Sequence, residues 1–256
     1  KFVGRKLFGY QFIVYSTLGL GVLSFGVWAH HMFTSGVDPR LKASFMAISI
    51  AIAVPSAIKV FNWITTMWDG EIELSAPFLL CAGGIGTFII GGVTGVFLAV
   101  IPIDILYHGT YYVVGHFHLI VVGIIPMMMI AASYYWYPIL TGRWYDRRLA
   151  KFQSVLLIFG SFVTFMILLV IGGLGLPRRQ AIYPPEYQLA QQIATVGAYV
   201  IGLAALLWLY NMLVSYWQGD IVKRTDPWEL KATGQFTREW QWFEDRMVEK
   251  YDVEPT

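Results

Sequence analysis

Apolar residues run through this chain in six long stretches, 8–31, 41–63, 77–101, 110–137, 152–174 and 192–217, separated by short polar connections. At about 1.5 Å of rise per residue, each is long enough to cross roughly 30 Å of hydrocarbon as a helix. The connections carry the expected breakers: Ser35-Gly36-Val37-Asp38-Pro39, Asp69-Gly70 and Tyr183-Pro184-Pro185. No soluble domain fits between them. The pattern predicts an all-α integral membrane protein, a six-helix transmembrane bundle over residues 1–217. Residues 218–256 change character, with Trp228, Trp240 and Trp242 set among Asp, Glu and Lys. They read as a cytoplasmic tail whose aromatic residues rest at the headgroup level or against a partner subunit; the sequence leaves both open.

Composition agrees with a bilayer. Hydrophobic residues make up 57% of the chain and charged ones 13%, beyond the range of a soluble globular domain. The net charge of +2 argues for no nucleic-acid partner, since Lys and Arg are spread over the connections. One side of the predicted bundle holds Lys1, Arg5, Lys6, Arg143, Arg147, Arg148, Lys151 and the cations of the tail, and the other holds Arg40, Lys42, Arg178 and Arg179. The first side is expected to be cytoplasmic, with the C-terminus on it. A single Cys81, in an apolar stretch, allows no disulfide within the chain and reads as an inert thiol. The sequence opens at Lys1 without a signal-peptide pattern, which reads as a fragment or a processed chain.

On this topology all five histidines fall toward the outer face, which favours one polynuclear site. Imidazole inside a membrane span is costly unless it is paired, ligating or facing water. For any one of the five taken alone, the reading as a hydrogen-bonded core residue prevails. The spacing of His116 and His118 says more. At about 100° per residue they point about 200° apart, so they cannot share one ion, and each can serve its own planar cofactor. Phe117 projects between them. His30 and His31 are adjacent at a helix end near Gly36, where both can bend toward one metal, and neutral imidazole suits copper, iron or zinc.

Lys59 is the single ionisable side chain well inside the second span, and such residues mark ion or proton paths; the alternative is a side chain that snorkels to the interface. Ser56, three residues earlier, lies on the same helical face and can continue a relay. Arg178 and Arg179 face the histidine layer from the outer side and suit carboxylates such as heme propionates, or lipid phosphates. Asp104 and His108 on the same rim can order that layer. Gly91 and Gly95 form a small-xxx-small pair, read first as close helix packing and second as approach of a flat cofactor. Met127-Met128-Met129 faces several directions and reads as packing.

Taken together, Trp28-Ala29-His30-His31-Met32-Phe33, Val54-Pro55-Ser56-Ala57-Ile58-Lys59-Val60-Phe61, Gly92-Val93-Thr94-Gly95, Tyr111-Tyr112-Val113-Val114-Gly115-His116-Phe117-His118 and Gly175-Leu176-Pro177-Arg178-Arg179 closely resemble catalytic subunit I of the A-type heme-copper oxidases. The ordered match is similar to the second half of that twelve-helix subunit, its helices seven to twelve. The resemblance implies that His30 and His31 are two of three ligands of the active-site copper. It implies that His116 binds a high-spin heme and His118 a low-spin heme, both A-type, with Arg178 and Arg179 beside the propionates and Asp104 and His108 on the rim above. Lys59 and Ser56 match the family's lysine proton path, with Ser where Thr is more usual. The remaining ligands would come from the first half of the subunit, helices one to six.

The same resemblance implies subunit II and further oxidase subunits as partners, surrounding membrane lipid, dioxygen as substrate, and cytochrome c, a small copper protein or a quinol as donor. It implies an energy-transducing membrane, of the prokaryotic plasma-membrane type. Gly109 follows His108 where many members carry an Asp that shares a magnesium ion with that histidine; glycine has no side chain to ligate, which argues against magnesium. The implied activity is reduction of dioxygen to water, coupled to proton translocation. Two rivals stand beside it: a nitric oxide reductase, with non-heme iron in place of copper, and a non-catalytic proton channel or structural subunit, which predicts no heme.

Overall fold

In the computed structural model, which describes residues 1–251, the chain forms ten α-helices: α1 (Tyr10–Ser24), α2 (Pro39–Ala51), α3 (Ala53–Met67), α4 (Ala76–Ala99), α5 (Ile101–Tyr107), α6 (Tyr111–Val121), α7 (Ile125–Thr141), α8 (Arg147–Gly173), α9 (Gln188–Gln218) and α10 (Arg238–Tyr251). No strand forms among the described residues. Five helical segments are long and apolar enough to cross a membrane: Pro39–Met67, Ala76–Ala99, Tyr111–Thr141, Arg147–Gly173 and Pro185–Gln218. The predicted first span, 8–31, is divided instead. It yields the 15-residue α1 and then a short 3-10 turn, Trp28–Met32, that carries His30 and His31. The helix tightens to i→i+3 bonds at Phe25 and Gly26, where a glycine disfavours its continuation.

Two of the long segments are interrupted where proline dictates. Pro55 has no N–H to give the carbonyl four residues back, and the ladder breaks at Ile52 between α2 and α3. Pro126 has the same effect between α6 and α7. There Val122 and Gly123 both donate to the His118 carbonyl, at 2.9 and 2.8 Å, so this break directly follows the histidine pair. Helix starts are capped as the sequence suggests: Asp38 accepts from Arg40 N, Thr110 from Tyr112 N, and Asp146 from Arg148 N and Leu149 N.

α8 packs along both α6 and α9, and α4 lies against α6 and α7. Glycine permits the closest approach. A Cβ on Gly115 of α6 would lie 2.7 Å from the Leu169 backbone nitrogen of α8, and one on Gly172 would overlap the backbone of Tyr112. At the outer end, Tyr111 N donates to Leu176 O and Arg178 N to Gly109 O, both at 2.9 Å, which ties the start of α6 to the loop after α8.

The opposite end departs from the sequence reading. Trp228 and Trp240 are buried within the chain's own core, at 5% and 0% exposure, packed on α7, not turned to lipid or to a partner. Their indole N–H groups donate to Tyr135 O at 2.9 Å and Tyr135 Oη at 3.1 Å. α10 presents Trp240, Phe243 and Met247 to this core, while Trp242 stays half exposed beneath the Arg246 guanidinium. Its spacing of apolar positions at i, i+3 and i+7 is that of an amphipathic helix seated on a surface.

Candidate metal centre

α6 sends its two histidines to different neighbours. His116 lies against α4, where its Nδ1 is 2.8 Å from Gly91 O and 3.2 Å from Thr94 Oγ1. His118 turns toward α8, its ring 5.3 Å from that of Phe165, and its Nδ1 meets Val114 O at 2.8 Å. A carbonyl can only accept, so both imidazoles carry their proton on Nδ1, which leaves both Nε2 atoms with a free lone pair. That is the tautomer a metal-ligating histidine needs, oriented by the partner of its other nitrogen. Phe117 projects between the two sides, half exposed.

His30 and His31 converge. Their Nε2 atoms lie 3.2 Å apart, with the rings at 76°, and two metal–nitrogen bonds of about 2.0–2.1 Å to one ion span such a gap. Ser49 of α2 fixes His30 from behind, its hydroxyl 3.0 Å from Nδ1. His116 is among the neighbours of His30, and Asp104, His108 and Arg178 are among those of His31, so these six residues lie in one region. Among the described residues no three His, Cys, Asp or Glu side chains meet as a finished ligand set. The paired Nε2 donors suit one copper, iron or zinc ion that takes a further ligand from elsewhere, and the uncommitted Nε2 atoms of α6 suit metal centres on separate sides of that helix.

On the rim, Asp104 of α5 is buried and its carboxylate lies 3.0 Å from His108 Nδ1. Burial pushes the Asp104 carboxyl above the usual range, and His108 opposes that shift. Arg178 is partly buried, whereas Arg179 is exposed and adopts a φ of 65°. Gly109, at a φ of 76°, turns the chain into α6.

Lys59 lies apart from this layer on α3. The Ser56 hydroxyl is bonded to Ile52 O at 2.9 Å, within its own helix, and not to Lys59. Toward the tail end, Asn62 and Thr66 follow Lys59 at helical spacing. Thr66 donates to Asn62 O, while the Nδ2 of Asn62 is buried without a partner. Ser49, Thr94 and Asn62 had no part in the sequence reading of the site. Only Thr94 stood in a motif, and the contact of Ser49 with His30 spans 19 residues that no local pattern connects.

The chain matches the model of the family "Cytochrome C and Quinol oxidase polypeptide I" over residues 1–200. It belongs to that family. The cytochrome c oxidase polypeptide 1 of Halobacterium salinarum is 60% identical over 243 residues, covering 95% of this chain and 41% of that one. Subunit 1 from Synechocystis is 38% identical over 251 residues, covering 98% and 44%. The chain thus spans about two fifths of the length of these relatives. A heme-copper terminal oxidase dimer solved by cryo-EM shares the fold, with a TM-score of 0.69 at 24% identity over 78% of this chain and 41% of the other. As a member of this oxidase family the chain is an integral membrane protein, and its helical bundle is that of heme-copper oxidase subunit I.

Proposed function

We propose that the chain is the second half of the catalytic subunit of a terminal respiratory oxidase, which reduces dioxygen to water and couples that reduction to proton translocation. The observation that carries this reading is the pairing of geometries on one layer: two Nε2 atoms 3.2 Å apart at His30 and His31, and two free Nε2 atoms on opposite sides of α6. His30 and His31 would hold the copper, His116 the high-spin heme iron and His118 the low-spin heme iron, with Arg178 and Arg179 toward the propionates. Two hemes and a copper ion, once bound, supply the electrons and the binding site for dioxygen.

The chain's own residues do the rest. Gly91 O and Val114 O hold the two imidazoles in the ligating tautomer. Apolar walls of α4, α6 and α8 exclude water, which limits escape of partly reduced oxygen. Protons enter from the side that carries the tail, the cytoplasmic side in this reading, and Lys59 with Asn62 and Thr66 below and Ser56 above gives them a polar line along α3. Trp28 and Phe117, large and exposed beside the histidines, would be covered by the first half of the subunit, which would also complete the ligand sets. Subunit II then docks on the rim of Asp104 and His108 and delivers electrons from cytochrome c, a small copper protein or a quinol.

A reduced-minus-oxidised optical spectrum, with and without carbon monoxide, tests this on the complex purified through this chain, together with copper and non-heme iron analysis. Two hemes, one of them binding carbon monoxide, with copper present are expected. Non-heme iron in place of copper would move the assignment to a nitric oxide reductase, and absence of heme would return the chain to a channel or structural role.

A further inference from the structure

We infer that Thr94 and Gly95 of α4 are positioning residues for the His116 imidazole. The inference rests on the proposed role of His116 as a heme ligand.

Three polar atoms form a closed triangle beside the ring. His116 Nδ1 lies 2.8 Å from Gly91 O, Thr94 Oγ1 lies 2.8 Å from the same oxygen, and Thr94 Oγ1 lies 3.2 Å from His116 Nδ1. Gly91 O has only lone pairs, so it accepts from both neighbours. Thr94 spends its one proton on that carbonyl and turns a lone pair toward the imidazole. The Nδ1–H is therefore shared between two acceptors, and its direction is fixed by two atoms instead of one. A lone carbonyl would leave the ring free to swing about a single bond, whereas the hydroxyl closes that freedom. Hydrogen bonding at Nδ1 also raises the donor strength of the opposite nitrogen.

Gly95 acts from the next position. A Cβ there would stand 2.6 Å from His116 Cε1 and 3.4 Å from both ring nitrogens. Cε1 sits between the two nitrogens, so a methyl group would press directly on the ligating edge. α4 and α6 already lie close here. One turn earlier, the site of a Cβ on Gly91 is already closed by Ile120 and Leu119 of α6, at 2.7 and 3.1 Å. The ring is what the new methyl meets first, and in yielding it would turn away from the position that the Thr94 and Gly91 oxygens set. Thr94 supplies the direction and Gly95 the space.

Threonine commonly bonds the carbonyl three residues back, as Thr87 does to Gly84 O at 3.0 Å, so the test must read the imidazole itself. Resonance Raman spectra of the reduced, ligand-free oxidase complex report the iron–histidine stretch. The complexes compared carry wild-type chain, Thr94→Val, Thr94→Ser, Gly95→Ala and, as reference, His116→Gly. Expected are loss of the band in His116→Gly, a displaced and broadened band in Thr94→Val and Gly95→Ala with the carbon-monoxide-binding heme retained, and the wild-type band in Thr94→Ser. Wild-type bands in both Thr94→Val and Gly95→Ala, with the band lost in His116→Gly, overturn the inference alone. A band that survives His116→Gly overturns the ligand assignment and the inference with it. If Gly95→Ala yields no assembled heme, the Val and Ser variants at position 94 decide.

Discussion

At the scale of single residues, the proposed centre works by leaving one nitrogen of each imidazole uncommitted. His116 and His118 differ in what accepts from Nδ1: Gly91 O with Thr94 Oγ1 on α4 for the first, Val114 O on the histidine's own helix for the second. The two rings are therefore separable by substitution. His116→Asn is expected to abolish the carbon-monoxide difference spectrum and retain a low-spin heme, while His118→Asn removes the low-spin heme signal. Loss of both signals in each variant would contradict assignment to two sides of α6. Lys59 gives a second prediction. With no hydrogen-bond partner among the described residues, a cation inside a span is costly to keep, and Lys59→Met removes that cost along with the proton relay. Steady-state oxygen consumption should fall at least about tenfold, roughly 1.4 kcal/mol of barrier, with heme content unchanged. Undiminished oxygen uptake would remove Lys59 from the path.

Among elements, the histidine pair depends on how closely α6 lies on α8 and α4. The approach uses Gly115 and Gly172 against backbone, and backbone cannot be repacked as a side chain can. Gly172→Ala is expected to destabilise the complex by about 1–3 kcal/mol or more, as overpacking does. The measurement is the temperature at which the heme absorbance collapses in detergent, which should drop in the variant. A change at Gly92, where a Cβ would meet nothing within 4 Å, gives the contrast within this chain. Much of this level was legible in the sequence. Apolar run lengths gave the long helices, proline and glycine gave their ends, and the two-residue spacing gave the divergence of His116 and His118. What was not legible involved tertiary neighbours. The short α1 follows from the tightening at Phe25 and Gly26 and from the turn that carries His30 and His31, while its start is set by Gly9 seated against Asn62, where a Cβ would lie 2.6 Å from Oδ1. Neither leaves a periodic trace. The second acceptor of His116 was hidden for the same reason, because Thr94 reads as an ordinary small residue in a glycine-rich helix.

Across the whole molecule, the polar tail is a structural part of the bundle. The hydropathy of residues 218–251 hides this, because the burial comes from a few aromatic anchors among charged neighbours. Trp240 is fully enclosed, edge-on to Tyr135 at 5.4 Å and to Phe243 at 6.1 Å. Trp228 stacks on Tyr135 at 5.9 Å and meets Phe2 and Trp144 edge-on. These contacts tie α10 and the residues before it to α7, to the segment preceding α1 and to the connection between α7 and α8. Removing one anchor therefore loosens the cap without touching the histidine layer at the other end of the helices. Trp240→Ala should cost about 3–5 kcal/mol, the usual cost of emptying a buried indole site, and strand the Tyr135 hydroxyl that it contacts. Because that energy belongs to the cap, limited proteolysis is the discriminating measurement. In the variant complex the tail should become cleavable at protease levels that spare the wild type, while the reduced-minus-oxidised heme spectrum keeps its shape. Heme loss that keeps pace with tail cleavage would instead show that the two ends of the bundle unfold as one unit.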